Sequence, residues 1–175
     1  MKEKKEDSDR KLIDIRGRTW YIGFSLSEIP KPLRGRGAEN LIRVYLNSLG
    51  TYDDSPEETY QDMIAVDPST KNRVPVQVKS ISLKRHGWEI RVDDVPLKKF
   101  TGFYLILLEH EPEDIILHIE SGELRQLMDE IGKTKDGYHH KNRQGLYVPA
   151  SLKDFEHYIS PDRFKEAVFG ERKGN

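Results

Sequence analysis

Cysteine is absent from the 175 residues, which excludes disulfides and thiolate metal sites and points to a reducing compartment. Long apolar runs are absent too: no window approaches the roughly 18 apolar residues of a membrane span. Met1 to Arg10 is charged and lacks the apolar stretch of a secretion signal. A cytoplasmic protein without membrane association is expected. Neither charge is in surplus, since 29 Lys and Arg stand against 30 Asp and Glu for a net charge of −1. The chain as a whole therefore has no general attraction for phosphate backbones, and nucleic-acid contact has to come from local patches.

The remaining composition is polar but able to fold, with 35% hydrophobic and 34% charged residues. Apolar residues concentrate in segments such as Phe103 to Leu108, and the length suits one domain with a sizeable core. Residues 1–18, dominated by Lys, Glu, Asp and Arg, are expected to be partly disordered, and residues 19–175 to form a single domain. Charge is uneven along the chain. Asp53, Asp54, Glu57, Glu58 and Asp62 form an acidic stretch; Lys133, Lys135, His139, His140, Lys141 and Arg143 form a basic one.

Periodicity orders the elements. Trp20 to Phe24 favours a strand. Leu41, Ile42, Tyr45, Leu46 and Leu49 recur at helical spacing, predicting a helix from Gly37 to Leu49 that Gly50 ends and that carries Glu39 in its first turn. Asp62–Asp67 and Arg73–Ser82 flank the turn-rich Pro68-Ser69-Thr70-Lys71-Asn72 and predict a hairpin, with a third strand at Trp88–Val92. Gly102–Glu109 reads as a buried central strand and Ile115–Ile119 as its successor, with His110 and His118 expected near the surface. A helix is expected at Glu123–Ile131, a short strand at Gly145–Val148, and terminal helices at Leu152–Ile159 and Arg163–Phe169.

Alternation puts Gln77 and Lys79 on one face of their strand and Val76 and Val78 on the other. A hairpin symmetric about Ser69 and Thr70 sets Asp62 opposite Gln77, so that Asp62, Gln77 and Lys79 share one patch of sheet. Asp67 has the opposite parity and is left out. Glu39 adds a second carboxylate if its helix crosses the sheet at that edge. A carboxylate, a second oxygen ligand and a lysine at one spot suit metal-assisted phosphodiester hydrolysis. Mg²⁺ takes oxygen ligands and keeps several waters, while an ammonium stabilises developing negative charge. His139-His140 with Asn142 lacks matched ligand geometry and reads as a basic loop. Arg34-Gly35-Arg36-Gly37 lacks the ending of a phosphate-binding P-loop and reads as a flexible lead into the helix.

The runs Gly37-Ala38-Glu39-Asn40, Asp62-Met63-Ile64-Ala65-Val66-Asp67 and Val76-Gln77-Val78-Lys79-Ser80 together resemble the helix–strand–strand core of the PD-(D/E)XK nuclease superfamily, over roughly Arg36 to Glu109. The resemblance implies an α/β, restriction-endonuclease-like fold with a mixed central β-sheet flanked by helices. It implies Mg²⁺ or Mn²⁺ as cofactor and DNA as substrate. Asp62, Gln77 and Glu39 would be the metal ligands and Lys79 the catalytic lysine. Gln61 stands where the family has proline, and Gln77 stands where it has an acidic residue, as in some restriction nucleases of the Mrr type. Phosphate contacts are expected from Arg34, Arg36, Lys84, Arg85, Lys133, Lys135, Lys141 and Arg143. A homodimer is the expected way for chains with one site each to cut both strands. The alternative is a nuclease-fold module that binds nucleic acid or protein and no longer cuts, with Gln77 as the mark of lost activity.

Overall fold

A computed structural model describes residues 30–111, 113–131 and 143–170. The expected strand at Trp20 to Phe24, the charged 1–18 segment, and Lys133, Lys135 and Lys141 lie outside the described residues. The elements run α1 (Arg34–Leu49), β1 (Tyr52–Asp54), β2 (Met63–Val66), β3 (Arg73–Ile81), β4 (Gly87–Asp93), α2 (Asp94–Lys99), β5 (Phe103–Leu108), β6 (Ile115–Glu120), α3 (Ser121–Ile131), β7 (Arg143–Pro149), α4 (Glu156–Ile159) and α5 (Asp162–Phe169).

Five strands form a mixed sheet in the order β1-β2-β3-β5-β6, with helices on its faces. The pairs β1–β2, β2–β3 and β5–β6 are antiparallel, and β3–β5 is parallel. Strand β5 is buried along its whole length, which is why its sequence is a continuous apolar run with no alternation. On one face Val74, Val76, Val78, Leu105 and Leu107 pack against Ala38, Ile42, Tyr45 and Leu46 of α1 and Phe164 and Val168 of α5. On the other, Tyr104, Ile106, Leu117 and Ile119 pack against Trp88, Ile90 and Val92 of β4, Leu146 and Val148 of β7, and Leu124 and Met128 of α3.

Strand β4 does not join the central sheet. It pairs with β7 as a separate two-stranded sheet covering that second face. Its alternation of buried Trp88, Ile90 and Val92 with Glu89 and Arg91 fits a layer with one dry side. Two short elements carry too little pattern to be expected, β1 with three residues and α2 with six, the latter holding Pro96 in its first turn. The expected helix at Leu152–Ile159 is instead a 3₁₀ turn at Lys153–Phe155 followed by four-residue α4. Helix α1 begins at Arg34, so the segment expected to be a flexible lead is its first turn and Glu39 lies in the second. Two glycines are tolerated there because Arg34 ties the turn down, its guanidinium meeting Ser82 Oγ and, at 3.1 Å, Glu109 Oε2.

Asp67 fixes the hairpin. Its Oδ1 accepts the Ser69 N–H at 2.8 Å and the Ser69 hydroxyl at 2.6 Å, and its Oδ2 accepts the Thr70 hydroxyl at 2.6 Å. These bonds hold its pKa down to about 2. With Lys71 at a positive φ of 64°, the turn is centred on Ser69 and Thr70 and sets the β2–β3 register, Met63 opposite Val76 and Val66 opposite Arg73. Gly102 sets the next one. A side chain there would lie 2.3 Å from the Pro75 carbonyl at a φ of 151°, so only glycine lets β5 start this close to β3.

His118 is buried, with 4% exposure, and not near the surface as its turn-flanking position suggests. Its Nδ1–H donates to the Tyr158 carbonyl at 3.2 Å, which leaves Nε2 to accept the Tyr45 hydroxyl at 2.6 Å. Burial pushes its pKa down to about 4, against the opposing pull of backbone acceptors. The folded state therefore holds fewer protons at this residue than the unfolded chain does. The stability is complete above the ordinary histidine pKa of about 6.5. It is lost as pH falls through the folded value, by about 3 kcal/mol in all. Urea unfolding from about pH 7 to about pH 4.5 should show this decline, and His118→Asn should flatten it; an equal slope in the variant would assign the decline to other groups.

Candidate functional site

Strand β2 begins at Met63 opposite Val76, so from Gln77 onward β3 pairs with β5 alone. Asp62 stands where the β2–β3 ladder ends. Its N–H donates to the Val76 carbonyl at 3.0 Å, and its Oδ2 accepts the Val78 N–H at 2.7 Å in place of a β2 carbonyl. The carboxylate thus lands on β3 between Gln77 and Lys79. Oδ1 has no protein donor among the described residues.

Gln77 is 7% exposed, and its buried Oε1 has no hydrogen-bond partner among the described residues. Leaving a buried acceptor unpaired costs about 1–3 kcal/mol. Lys79 is half-buried, and its ammonium makes no ion pair or hydrogen bond among the described residues. The register of β5 places Tyr104 beside Gln77 and Ile106 beside Lys79. Tyr104 is fully buried, and its hydroxyl also lacks a partner among the described residues. Burial pushes its pKa up to about 12, with the Arg125 charge opposing and the Asp62 charge adding to the shift.

Glu39 is half-buried in the second turn of α1. Helix α1 packs on the face that carries Val76 and Val78, whereas Gln77 and Lys79 alternate to the other. No hydrogen bond links Glu39 to Asp62, Gln77 or Lys79 among the described residues. The acidic stretch is likewise not an open negative field. Asp53 pairs with Arg43 at 2.6 Å, while Asp54 and Glu57 pair with Arg73 at 2.8 and 2.7 Å.

Of the expected phosphate contacts, Arg36 and Arg85 are exposed. Arg34 is engaged by Glu109 and Ser82, and Lys84 by Glu89. All four gather near the C-terminal end of β3, because the Arg34–Ser82 contact joins the start of α1 to the segment that carries Lys84 and Arg85. Arg143 opens β7.

The donor set fits a hard cation. Asp62 Oδ1 and the unpartnered Gln77 Oε1 are oxygen ligands, and Mg²⁺ or Mn²⁺ needs few of these beside water and phosphate. Among the described residues no three His, Asp or Glu side chains gather into a metal-holding group, so the amide oxygen would carry what a second carboxylate usually does. No described helix is long and apolar enough to cross a membrane. No family model, curated protein or solved structure matches the chain.

Sequence reasoning did not single out Tyr104, whose signal was a lone hydroxyl inside the apolar run Phe103–Leu108.

Proposed function

We propose that the chain is a metal-dependent nuclease hydrolysing DNA phosphodiester bonds on a restriction-endonuclease-like fold. The carrying observation is the Asp62 carboxylate bonded to the Val78 N–H between Gln77 and Lys79, beside a buried amide oxygen that has no donor. The element order supports the same reading, with a helix, an antiparallel hairpin and a following parallel strand as in the PD-(D/E)XK resemblance. DNA is preferred to RNA on that resemblance alone.

Asp62 Oδ1 and Gln77 Oε1 would hold Mg²⁺ or Mn²⁺, which when bound polarises the phosphate and lowers the pKa of a water. The Val78 N–H fixes the Asp62 carboxylate, so its free oxygen is aimed before ligand arrives. The Lys79 ammonium, with no carboxylate to neutralise it, orients the attacking water and stabilises charge developing on the phosphate oxygens. Arg36 and Arg85 meet flanking phosphates, and Arg34 and Lys84 do so on exchanging their present partners.

A non-cutting binding module of the same fold is the second reading. The neutral Gln77 favours it. Under it, Asp62 and Lys79 serve only to blunt the stretch of β3 that β2 leaves unpaired. Calorimetric titration with Mn²⁺ separates the two. Asp62→Asn keeps an oxygen acceptor for the Val78 N–H, so the fold survives while the charge is lost. Wild type should bind Mn²⁺, and the variant should bind at least about tenfold more weakly. No binding by wild type, or equal binding by both, would leave the module.

A further inference from the structure

We propose that the Tyr104 hydroxyl is a positioning group of the Asp62–Gln77 site, hydrogen-bonding the water shell of the cation that Gln77 Oε1 and Asp62 Oδ1 hold. This rests on the metal-site reading above and adds a fourth residue to it. Gln77 and Tyr104 are partners on parallel β3 and β5, so their side chains leave the same sheet face side by side. Both are buried, at 7% and 0% exposure, and among the described residues neither Gln77 Oε1 nor the Tyr104 hydroxyl has a hydrogen-bond partner.

One unpartnered buried polar atom is a cost that folds tolerate; two on paired residues mark a place built for something other than packing. Phenylalanine would fill nearly the same volume without the cost, and every other residue of β5 from Phe103 to Leu108 is apolar. The ring is held in place edge-on against Phe100, with centroids 5.1 Å apart, so the hydroxyl is aimed by packing. An ordinary phenol is protonated at neutral pH, which makes Tyr104 a neutral hydrogen-bonding group and not a phenolate ligand. Arg125 of α3 is held by the Ser121 and Lys98 carbonyls at 3.4 and 3.5 Å. Its charge and that of Asp62 act on Tyr104 in opposite directions.

The test compares wild type with Tyr104→Phe in three measurements: thermal unfolding without metal, Mn²⁺ titration by calorimetry, and cleavage of plasmid DNA. The variant should unfold at the same temperature or higher, since no described residue bonds to the hydroxyl. It should bind Mn²⁺ roughly tenfold more weakly and cut correspondingly slower. Wild-type near-ultraviolet absorbance should change on Mn²⁺ addition through the tyrosine, and the variant should lose that change. Equal Mn²⁺ affinity in the two proteins would overturn the role of Tyr104 and leave the metal site standing. A lower unfolding temperature with unchanged affinity would overturn it as well, assigning the hydroxyl to the fold. Wild type that binds no Mn²⁺ would overturn both the role and the site.

Discussion

Lys79→Ala should lower DNA cleavage by on the order of 10²- to 10³-fold or more, the loss seen when a group that stabilises transition-state charge is removed. Folding and Mn²⁺ binding should be nearly unaffected. The ammonium forms no ion pair among the described residues, so its removal orphans no partner, and the surface-like change costs the fold within about 0.5 kcal/mol. The aliphatic stem does lie beside Ile106, and Lys79→Met keeps that packing while removing the charge. Both variants should therefore be folded, metal-binding and inactive. Cleavage that survives in both would mean that the activity has another origin. Inactivity restricted to the alanine variant would mean that the stem, and not the charge, mattered.

The distinction matters because Lys79 has a credible second role. From Gln77 to Ile81 strand β3 pairs with β5 alone, and an exposed strand edge invites pairing with another chain. A lysine there deters such pairing whatever the chemistry. Lys79→Met tests this too: sedimentation showing self-association, with wild-type activity in the monomer, would assign the residue to edge protection.

The part of the site that was legible in sequence is the part set by local rules. Period-two alternation gave Gln77 and Lys79 one face, and the turn symmetric about Ser69 and Thr70 put Asp62 at the end of the same patch. Asp67 makes that turn symmetric through its three hydrogen bonds, so the residue set aside for its parity is the one that holds the register. The rest depends on pairing between distant segments. Tyr104 reaches Gln77 only through a parallel register across an intervening strand and helix, which no local pattern sets. His118 reads as a turn-flanking histidine until Tyr45, 73 residues away, donates to it. The side of the sheet that Glu39 serves is hidden from sequence for a related reason: its helix has the expected apolar stripe, but the stripe specifies that α1 packs on a sheet face and not which face. The β4–β7 layer shows the same limit. Alternating Trp88, Ile90 and Val92 announce one buried side, while the partner strand arrives from Arg143 onward.

Gln77→Glu should produce opposite effects with and without metal. Without it, a carboxylate replaces a 93%-buried amide beside Asp62, a like charge fixed by the Val78 N–H. Burial and the neighbouring negative charge both disfavour ionisation, so the new acid should take up a proton or destabilise the fold by several kcal/mol. Its raised pKa means the penalty grows as pH rises above the ordinary glutamate value of about 4.3. A divalent cation reverses the balance, since two carboxylates then face a charge of opposite sign. The variant's unfolding temperature in a chelator should fall well below that of wild type, and Mn²⁺ should recover most of the difference. Its Mn²⁺ affinity should exceed that of wild type by about tenfold or more, and the stabilisation that binding gives the folded state grows with the logarithm of that affinity. Cleavage should be kept or raised. Destabilisation that Mn²⁺ does not relieve would show that Gln77 faces no cation site, and the non-cutting module would then be the better account of the fold.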